Sequence, residues 1–359
     1  MDKQITFKNA VLEGVFQVPY SKSVSNRMLI INALSGGKGS LENLSECDDT
    51  RALRRALADG SALVDVGGAG TAMRFLAAYF ALVPGEHVLT GSPRMARRPI
   101  KVLVDALREL GADIAYLGEE GYPPLRVTGG GLRGKNLVVD ASVSSQYLSA
   151  LMMIGPCVPG GLRLQLQGTP VSAPYLQMTA GLMRRCGARV RVTRRAVLVQ
   201  DGGYSRVPGV CEYDWSAVSF FYELLAVAGR GWMRFLGFRS ASVQGDRAQV
   251  ELWKRLGVRS VLSMKGLRIN TVQGPLARVR VDLADMPDVA LPFIVACCLR
   301  EVPFRVSGLG TLRIKECDRE EALVRELGKL GFPLRREDEG VLAWDGERVP
   351  PVSLVIDSH

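Results

Sequence analysis

The chain has 359 residues, of which 47% are hydrophobic and 23% charged, as is typical of a globular protein with two domains. Its 46 basic and 36 acidic residues leave a formal charge of +10, which favours an anionic partner without identifying it. The seven cysteines include no Cys-x-x-Cys pair, so neither a zinc site nor a disulfide framework is predicted. The sequence shows no apolar signal segment and no apolar run of membrane-spanning length, so we expect a soluble cytoplasmic protein without membrane contact.

The first helix is predicted to begin within residues 21–27, which combine four small polar side chains with two cations. The apolar run 28–34 follows at once and is closed by two glycines. Serines at a helix start cap the backbone, and the free N–H groups together with Lys22 and Arg27 form a positive end that suits an anion. The alternative is an ordinary capped helix with solvated cations.

Two further helices are predicted to begin with glycine or serine. Residues 67–74 open the apolar run 75–82, and residues 142–146 open the run 147–154. Glycine lets a backbone approach a ligand closely, and serine hydroxyls bind phosphate or sugar oxygens. The glycine run is neither a Walker A motif nor a complete G-x-G-x-x-G. Each start alone is more often a cap, but three of them, each near a Lys or Arg, indicate an anion site.

A helix that ends at a glycine and leads into a short strand recurs four times. The glycines are Gly111, Gly187, Gly257 and Gly331, separated by 76, 70 and 74 residues. Glycine supplies the left-handed conformation that ends such helices. Leu103, Leu107 and Leu110 have the spacing of a buried helical stripe. The pattern predicts a repeat of α/β units, with short strands at 137–139 and 279–281 between the helices.

Residues 184–195 contain six arginines and are the best argument for a nucleic-acid partner. However, Arg189 and Arg191 alternate with Val190 and Val192, which is the period of a strand with one wet face. The stretch also lacks aromatic side chains for base stacking. We favour the strand and keep a basic RNA-binding protein as the alternative of another class.

Taken together, these segments resemble the 5-enolpyruvylshikimate-3-phosphate (EPSP) synthase family. The resemblance is carried in order by Ser-Lys-Ser at 21–23 with Arg27, Gly-Thr-Ala-Met-Arg at 70–74, Leu-Thr-Gly-Ser-Pro-Arg-Met at 89–95 with Arg-Pro-Ile at 98–100, Tyr-Pro-Pro-Leu at 122–125, Ser-Val-Ser-Ser-Gln at 142–146, Gln-Gly-Asp at 244–246, Pro-Asp at 287–288, and Lys-Glu at 315–316 with Asp-Arg at 318–319. So many ordered motifs, spread over nearly the whole chain, make coincidence an inadequate explanation.

The resemblance implies a transferase, 3-phosphoshikimate 1-carboxyvinyltransferase, which moves the enolpyruvyl group of phosphoenolpyruvate to the 5-hydroxyl of shikimate 3-phosphate and releases phosphate. It implies no metal or organic cofactor, no nucleic-acid partner, and a monomer. The implied fold is α/β (α+β), an inside-out barrel of the enolpyruvyl transferase type with two similar domains built from βαβαββ units. Residues 21–211 would form one domain, and residues 1–20 with 212–359 the other.

The resemblance also implies the residues that meet each substrate, both of which carry a phosphate and a carboxylate. Shikimate 3-phosphate would contact Ser23, Arg27, Ser144, Ser145, Gln146, Ser172, Tyr175 and Asp288. Phosphoenolpyruvate would contact Lys22, Gly70, Arg98, Gln146 and Arg319. Arg74 and Lys315 are further cations at matching positions, and a cleft that neutralises several negative charges needs such a set.

Addition and elimination need groups that accept and deliver protons. Asp288 follows a proline at a predicted helix start, where the helix dipole favours the ionised form, so we expect it to be the base for the 5-hydroxyl. Glu316 is the candidate for the proton on the methyl carbon, and Lys22 for protonating the departing oxygen or holding both substrates. A helix-start charge cluster is the alternative for residues 316–319.

The sequence departs from the family pattern in several places. Tyr20 stands where a glycine is usual, and Thr311 where other members carry a polar substrate contact. Gly70 is retained, so inhibition by the phosphoenolpyruvate mimic glyphosate is expected. Residues 354–359 resemble the strand before the family's Asp-His-Arg-Met-Ala motif, so we expect the last α/β unit to be missing and a chain ending at His359 to bind phosphoenolpyruvate weakly or be inactive.

The nearest rival is the enolpyruvyl transferase that acts on UDP-N-acetylglucosamine. That enzyme shares the fold and uses a loop cysteine. The corresponding loop here, residues 91–99, contains no cysteine, and the motif at 21–27 belongs to the shikimate branch. The sequence therefore favours the shikimate reaction.

Overall fold

The computed structural model describes residues 11–168, 171–207, 209–274 and 276–358. Among these residues, helices and short strands alternate along the chain, and no helix combines the length and apolar character needed to cross a bilayer. The chain begins with β1 at Leu12–Phe16, α1 at Lys22–Leu34 and α2 at Asp48–Asp59. The helix start predicted near residue 21 is confirmed, because the Ser21 hydroxyl accepts a hydrogen bond from the Val24 N–H.

The next two stretches of chain repeat one arrangement of four strands and two helices. The first repeat consists of β2 (Leu63–Asp65), α3 (Gly70–Leu82), β3 (Gly85–Thr90), α4 (Lys101–Glu109), β4 (Asp113–Tyr116) and β5 (Leu125–Gly129). The second consists of β6 (Asn136–Asp140), α5 (Ser145–Ile154), β7 (Leu162–Gln167), α6 (Ala173–Arg185), β8 (Val190–Val192) and β9 (Ala196–Val199). Both are βαβαββ units.

The remaining chain contains two more units of the same kind. One consists of β1 with α7 (Trp215–Ala228), β10 (Gly231–Phe235), α8 (Gln249–Leu252), β11 (Val258–Ser263) and β12 (Gly266–Thr271). The other consists of β13 (Val279–Asp282), α9 (Ala290–Leu299), β14 (Phe304–Ser307), α10 (Arg319–Lys329), β15 (Arg335–Asp338) and β16 (Val341–Trp344). The predicted repeat is therefore confirmed, with residues 21–211 inserted into the first of these two units.

Within the described residues, every unit forms a four-stranded sheet with the same topology, namely β1-β10-β12-β11, β2-β3-β5-β4, β6-β7-β9-β8 and β13-β14-β16-β15. In each sheet the first two strands are parallel, and the fourth strand lies antiparallel between the second and the third. The parallel pair requires a crossover helix, whereas the last two strands are joined by short connections.

The four recurring glycines end the second helical segment of each unit, and all four have positive φ, as the left-handed cap requires. One prediction was too simple. The segment before Gly257 is not a continuous amphipathic helix, because α8 spans only four residues and a 3₁₀ turn at Trp253–Leu256 completes it. The predicted strand with one wet face is confirmed as β8, in which Arg191 is exposed and Val190 buried.

The buried side chains form two separate hydrophobic cores. One contains residues between Val24 and Cys211, and the other contains Val18 and residues between Trp215 and Trp344. We propose that these cores are the two domains expected from the sequence, residues 21–211 in one, and residues 1–20 with 212–359 in the other, of which residues 1–10 and 359 lie outside the described residues. Apolar burial of this kind is the main driving force for an independent domain.

The chain passes between the cores twice, and the two passages are hydrogen-bonded to each other. The Ser21 N–H donates to the Glu212 carbonyl at 2.8 Å, and the Asp214 N–H donates to the Pro19 carbonyl at 3.0 Å. Tyr20 stacks on Tyr213 with 4.7 Å between ring centroids. The paired crossover places the start of α1 beside the start of α7.

Candidate active site

Segments with predicted site residues converge where the two cores face each other. Asp288 is at their centre, in the 3₁₀ turn Pro287–Val289 before α9. The Tyr175 hydroxyl donates to its Oδ2 at 2.9 Å, and its Oδ1 is 3.1 Å from Arg319 Nη1 and 3.5 Å from Lys315 Nζ. One carboxylate thus meets two cations of its own domain and a hydroxyl from the opposite core.

These neighbours determine the charge of Asp288. Burial alone would raise the pKa of its carboxyl, but Lys315, Arg319 and Lys22 together outweigh burial and hold the pKa well below its ordinary value. Asp288 lies at a helix start as expected, because the 3₁₀ turn leads directly into α9 at Ala290, but the sequence analysis named only the helix dipole as the cause of its ionisation. The ionised state itself follows from the cations.

Glu316 is the second carboxylate of the site and shares Arg319 with the first. Its Oε2 lies 2.8 Å from Arg319 Nη2, and its Oε1 lies 3.8 Å from Arg98 Nη1 of the opposite core. Burial raises its pKa, but Arg319, Lys22 and Arg98 lower it to about 2. The alternative of a helix-start cluster holds for the neighbouring Asp318, whose side chain caps α10 by accepting from the Glu321 N–H.

Lys22 is the first residue of α1, next to the crossover. Its N–H donates to Asp214 Oδ2 at 3.3 Å, while the other oxygen of Asp214 caps α7. Burial lowers the pKa of Lys22, but Asp49, Asp288 and Glu316 outweigh burial and raise it, so the ammonium is charged. Sequence reasoning missed Asp49 and Asp214 because an acidic residue in the first turn of a helix or at its N-cap is an ordinary stabilising feature.

Arg98 and Gly70 are in direct contact. An added Cβ at Gly70 would lie 2.3 Å from Arg98 Nη1, so only glycine leaves room for the guanidinium at this position. Arg98 is 5% exposed, and its Nε has no hydrogen-bond partner among the described residues. A buried guanidinium with an unused N–H is a ready donor to an anion.

Arg27 and Arg74 are both buried, and both donate hydrogen bonds to the protein itself. Arg27 donates to Thr179 Oγ1, Ser149 Oγ and the Ser23 carbonyl at 2.7, 3.1 and 3.0 Å. Arg74 donates to the carbonyls of Gly70 and Pro99 at 3.2 and 2.8 Å. Burial lowers the pKa of each guanidinium to about 10, which still leaves it charged at neutral pH.

The predicted serine-rich helix start borders a narrow cavity together with cations of both cores. The lining includes Ser144, Ser145, Gln146, Ser172, Arg74, Arg98, Thr311 and Lys315. The Ser144 hydroxyl caps α5 through the Gln146 N–H, and Gln146 Nε2 donates to Thr71 Oγ1 at 3.4 Å. Ser172 has the left-handed φ of 54°, and the buried Thr311 hydroxyl has no partner among the described residues.

A roomier cavity of about 610 Å³ lies elsewhere, between β11 and the loop before β13. It contains no predicted site residue, although four cations line it. Two of these are already paired at the surface, Lys254 with Glu251 and Arg278 with Asp345. The polar cavity between the cores is the better candidate, because two of the cations that line it, Lys315 and Arg98, also pair with the carboxylates of Asp288 and Glu316.

Comparison with known proteins agrees with this geometry. A family model described as EPSP synthase (3-phosphoshikimate 1-carboxyvinyltransferase) matches residues 54–352. A 3-phosphoshikimate 1-carboxyvinyltransferase from Bacteroides fragilis strain YCH46 is 46% identical over 353 residues, which cover 97% of this chain and 86% of that protein. The chain belongs to the EPSP synthase family. An Aeromonas salmonicida relative with the same enzyme name is 39% identical and covers 95% of this chain and 84% of its own.

The solved EPSP synthase of Acinetobacter baumannii matches the fold with a TM-score of 0.70, covering 98% of this chain and 86% of that one at 21% identity. The two-domain α/β fold class expected from the sequence is thereby confirmed.

Proposed function

We propose that this EPSP synthase family member transfers the enolpyruvyl group of phosphoenolpyruvate to the 5-hydroxyl of shikimate 3-phosphate and releases phosphate. The observation that carries the proposal is the pair of ionised carboxylates, Asp288 and Glu316, which share Arg319 at the junction of the two cores. Family membership supports the reaction, and two carboxylates in different surroundings suit successive proton transfers.

The substrates bring phosphates and carboxylates, and the cavity offers cations and hydroxyls to meet them. We assign shikimate 3-phosphate to the side of Tyr175 and Asp288, where the second serine-rich helix start provides further hydroxyls. We assign phosphoenolpyruvate to Lys22, Arg98 and Arg319, next to the space that Gly70 leaves. Arg27 and Arg74 would act indirectly, by fixing the chain segments that carry the groups in contact with the substrates.

In the addition step, Asp288 accepts the proton of the 5-hydroxyl while the oxygen of that hydroxyl bonds to C2 of phosphoenolpyruvate. The methylene carbon of phosphoenolpyruvate gains a proton and becomes a methyl group. In the elimination step, the methyl group returns that proton, the C2–O bond to phosphate breaks, and phosphate leaves. The Asp288 carboxylate is suited to the first transfer because it is ionised in the resting site.

Glu316 needs a higher pKa to carry the proton of the methyl group, and we expect binding of the substrate to raise it. Arg319 Nη2 donates to Glu316 Oε2, and we expect this N–H to turn to the carboxylate of the bound substrate. Once Arg319 turns to phosphoenolpyruvate, its lowering effect on the pKa of Glu316 weakens, and the carboxyl can exchange a proton. Lys22, charged in the resting site, is suited to protonating the departing phosphate oxygen.

The test is phosphate release by the purified chain from shikimate 3-phosphate and phosphoenolpyruvate. Turnover should be lost in Asp288→Asn and in Glu316→Gln but retained in Asp345→Asn. Asp345 is a matched control, because it also sits between two cations, Arg278 and Arg335, but outside the site. Equal loss in the control, or normal turnover in either site variant, would contradict the assigned roles.

Two companion assays address the remaining expectations. UDP-N-acetylglucosamine in place of shikimate 3-phosphate should give no phosphate, and glyphosate should compete with phosphoenolpyruvate because both would occupy the space beside Gly70 and Arg98. We also propose that the enzyme is a cytoplasmic monomer, which fractionation and light scattering test directly.

A further inference from the structure

Arg94 bridges the two cores at the edge of the candidate active site. Its Nε donates to the Glu316 carbonyl at 3.1 Å, and its Nη2 donates to the carbonyls of Lys315 and Arg313 at 3.2 and 3.4 Å. All three acceptors belong to the opposite core's side of the cleft. One guanidinium thus holds the main chain of both Lys315 and Glu316, whose side chains approach Asp288 and Arg319.

The loop that carries Arg94 is firmly seated on its own core. Met95, the next residue, is fully buried, and its N–H donates to the Ser92 hydroxyl at 3.3 Å. The Ser92 N–H in turn donates to the Gly67 carbonyl at 3.0 Å. Arg98, four residues after Arg94, is buried in the same loop. Arg94 therefore extends from an anchored loop, so its hydrogen bonds constrain the position of the opposite core relative to that loop.

The acceptors of Arg94 lie where carbonyl groups are available. Arg313 belongs to the 3₁₀ turn Gly310–Ile314, and Lys315 and Glu316 follow that turn directly. Carbonyls at the end of a helical turn have no partner within the turn, so a cation there is favourable. The turn is anchored to its own core by the fully buried Leu312. The guanidinium closes the gap between two anchored segments.

We propose that Arg94 is a positioning residue that holds the two cores together over the active site, an arrangement that we call closure, and so assembles the site. Arg94 holds Lys315 and Glu316 within reach of Arg98 by donating hydrogen bonds to main-chain carbonyls, and it does not contact the substrate. The inference rests on the proposed function, because the segment it positions carries the groups assigned to catalysis there. The same hydrogen bonds therefore produce closure and the correct placement of Glu316.

A different role would be simple electrostatic attraction of the anionic substrates. The loop itself offers a control, because Arg97 is exposed, lies three residues away and carries the same charge, while the described structure gives it no bond across the cleft. Arg94→Lys separates the two roles, since lysine keeps the charge but lacks the planar fork that reaches several carbonyls.

The experiment measures kcat and KM for phosphoenolpyruvate in the full chain and in Arg94→Ala, Arg94→Lys and Arg97→Ala. We expect kcat/KM to fall about tenfold to a hundredfold in Arg94→Ala, as the loss of up to three hydrogen bonds implies, with kcat reduced as well as KM raised. Arg94→Lys should resemble Arg94→Ala, and Arg97→Ala should resemble the parent chain. Restoration by lysine, or an equal loss in Arg97→Ala, would overturn the proposal in favour of charge alone.

A readout without turnover separates this inference from the proposed function. The radius of gyration from small-angle X-ray scattering, measured with saturating shikimate 3-phosphate, should be larger in Arg94→Ala than in the parent chain and in Arg97→Ala. This comparison stands even if the parent chain releases no phosphate, an outcome that would refute the proposed reaction. Indistinguishable scattering of all three chains would refute the role of Arg94 in closure.

Discussion

Asp246 should make the stability of this protein fall as the pH rises from acidic to neutral. Its side chain is only 3% exposed and lies in the 3₁₀ turn Gly245–Ala248. The Ser216 hydroxyl donates to Oδ2 at 2.5 Å, whereas Oδ1 has no partner among the described residues. Burial, followed by the nearby charges of Asp288 and Asp214, raises the pKa of Asp246 from 3.8 to about 7.

The sign and size of the effect follow from this pKa. Below about pH 4 the carboxyl is protonated in both the folded and the unfolded chain, and it costs nothing. Between about pH 4 and about pH 7 the unfolded chain releases the proton and the folded chain does not, so the free energy of unfolding falls with pH. A shift of about three pKa units corresponds to a loss of up to about 4 kcal/mol.

Asp246→Asn removes the titration and retains the size of the side chain and its acceptor for Ser216. Urea unfolding at about pH 5 and about pH 8 should show the variant gaining stability over the parent chain as the pH rises, by about 2–3 kcal/mol, because part of the loss has already occurred at pH 5. Asp345→Asn is the control, because Arg335 and Arg278 lower the pKa of Asp345 and its charge is not among those that shift Asp246, so its difference from the parent should be constant. A pH-independent difference for Asp246→Asn would refute the reasoning.

Three further changes test the site and the core. Tyr175→Phe removes the hydroxyl that stabilises ionised Asp288, so the acid limb of the kcat/KM profile should move to higher pH, and an unmoved limb would contradict this. Gly70→Ala should displace the Arg98 guanidinium and raise KM for phosphoenolpyruvate, whereas an unchanged KM would show that the Arg98 position is irrelevant to binding. Leu107→Ala, at a fully buried position, should cost about 2–5 kcal/mol in urea unfolding without changing KM, and a loss under about 1 kcal/mol would mean that the site refills.

Local signals predicted much of the fold. The four glycines that end helices were recognisable because a left-handed residue is a local requirement, and each marks the second helical segment of one unit. The helix starts at Ser21 and Ser144 were recognisable for the same reason, since capping acts within three residues. The interrupted helix before Gly257 was not, because its amphipathic pattern is the same in a 3₁₀ turn and an α-helix over so few residues.

Contacts across the cleft were the part that sequence reasoning did not reach. The bonds from Arg94 to the chain near Glu316 join residues more than two hundred positions apart. Asp214, which contacts the start of α1 and caps α7, is separated from Lys22 by a similar distance in sequence. Arg94 belongs to the motif at 89–95 and Asp214 is at a helix start, but neither local pattern shows which residues they contact on the other side of the cleft.

The most direct test of the account is phosphate release by the purified chain with both substrates and with each substrate alone, together with the mass of the organic product. We predict phosphate release only when shikimate 3-phosphate and phosphoenolpyruvate are both present. The amount of phosphate should equal the amount of a product that carries the enolpyruvyl group. Phosphate release that does not depend on shikimate 3-phosphate, or none from a folded chain that binds both substrates, would contradict the account.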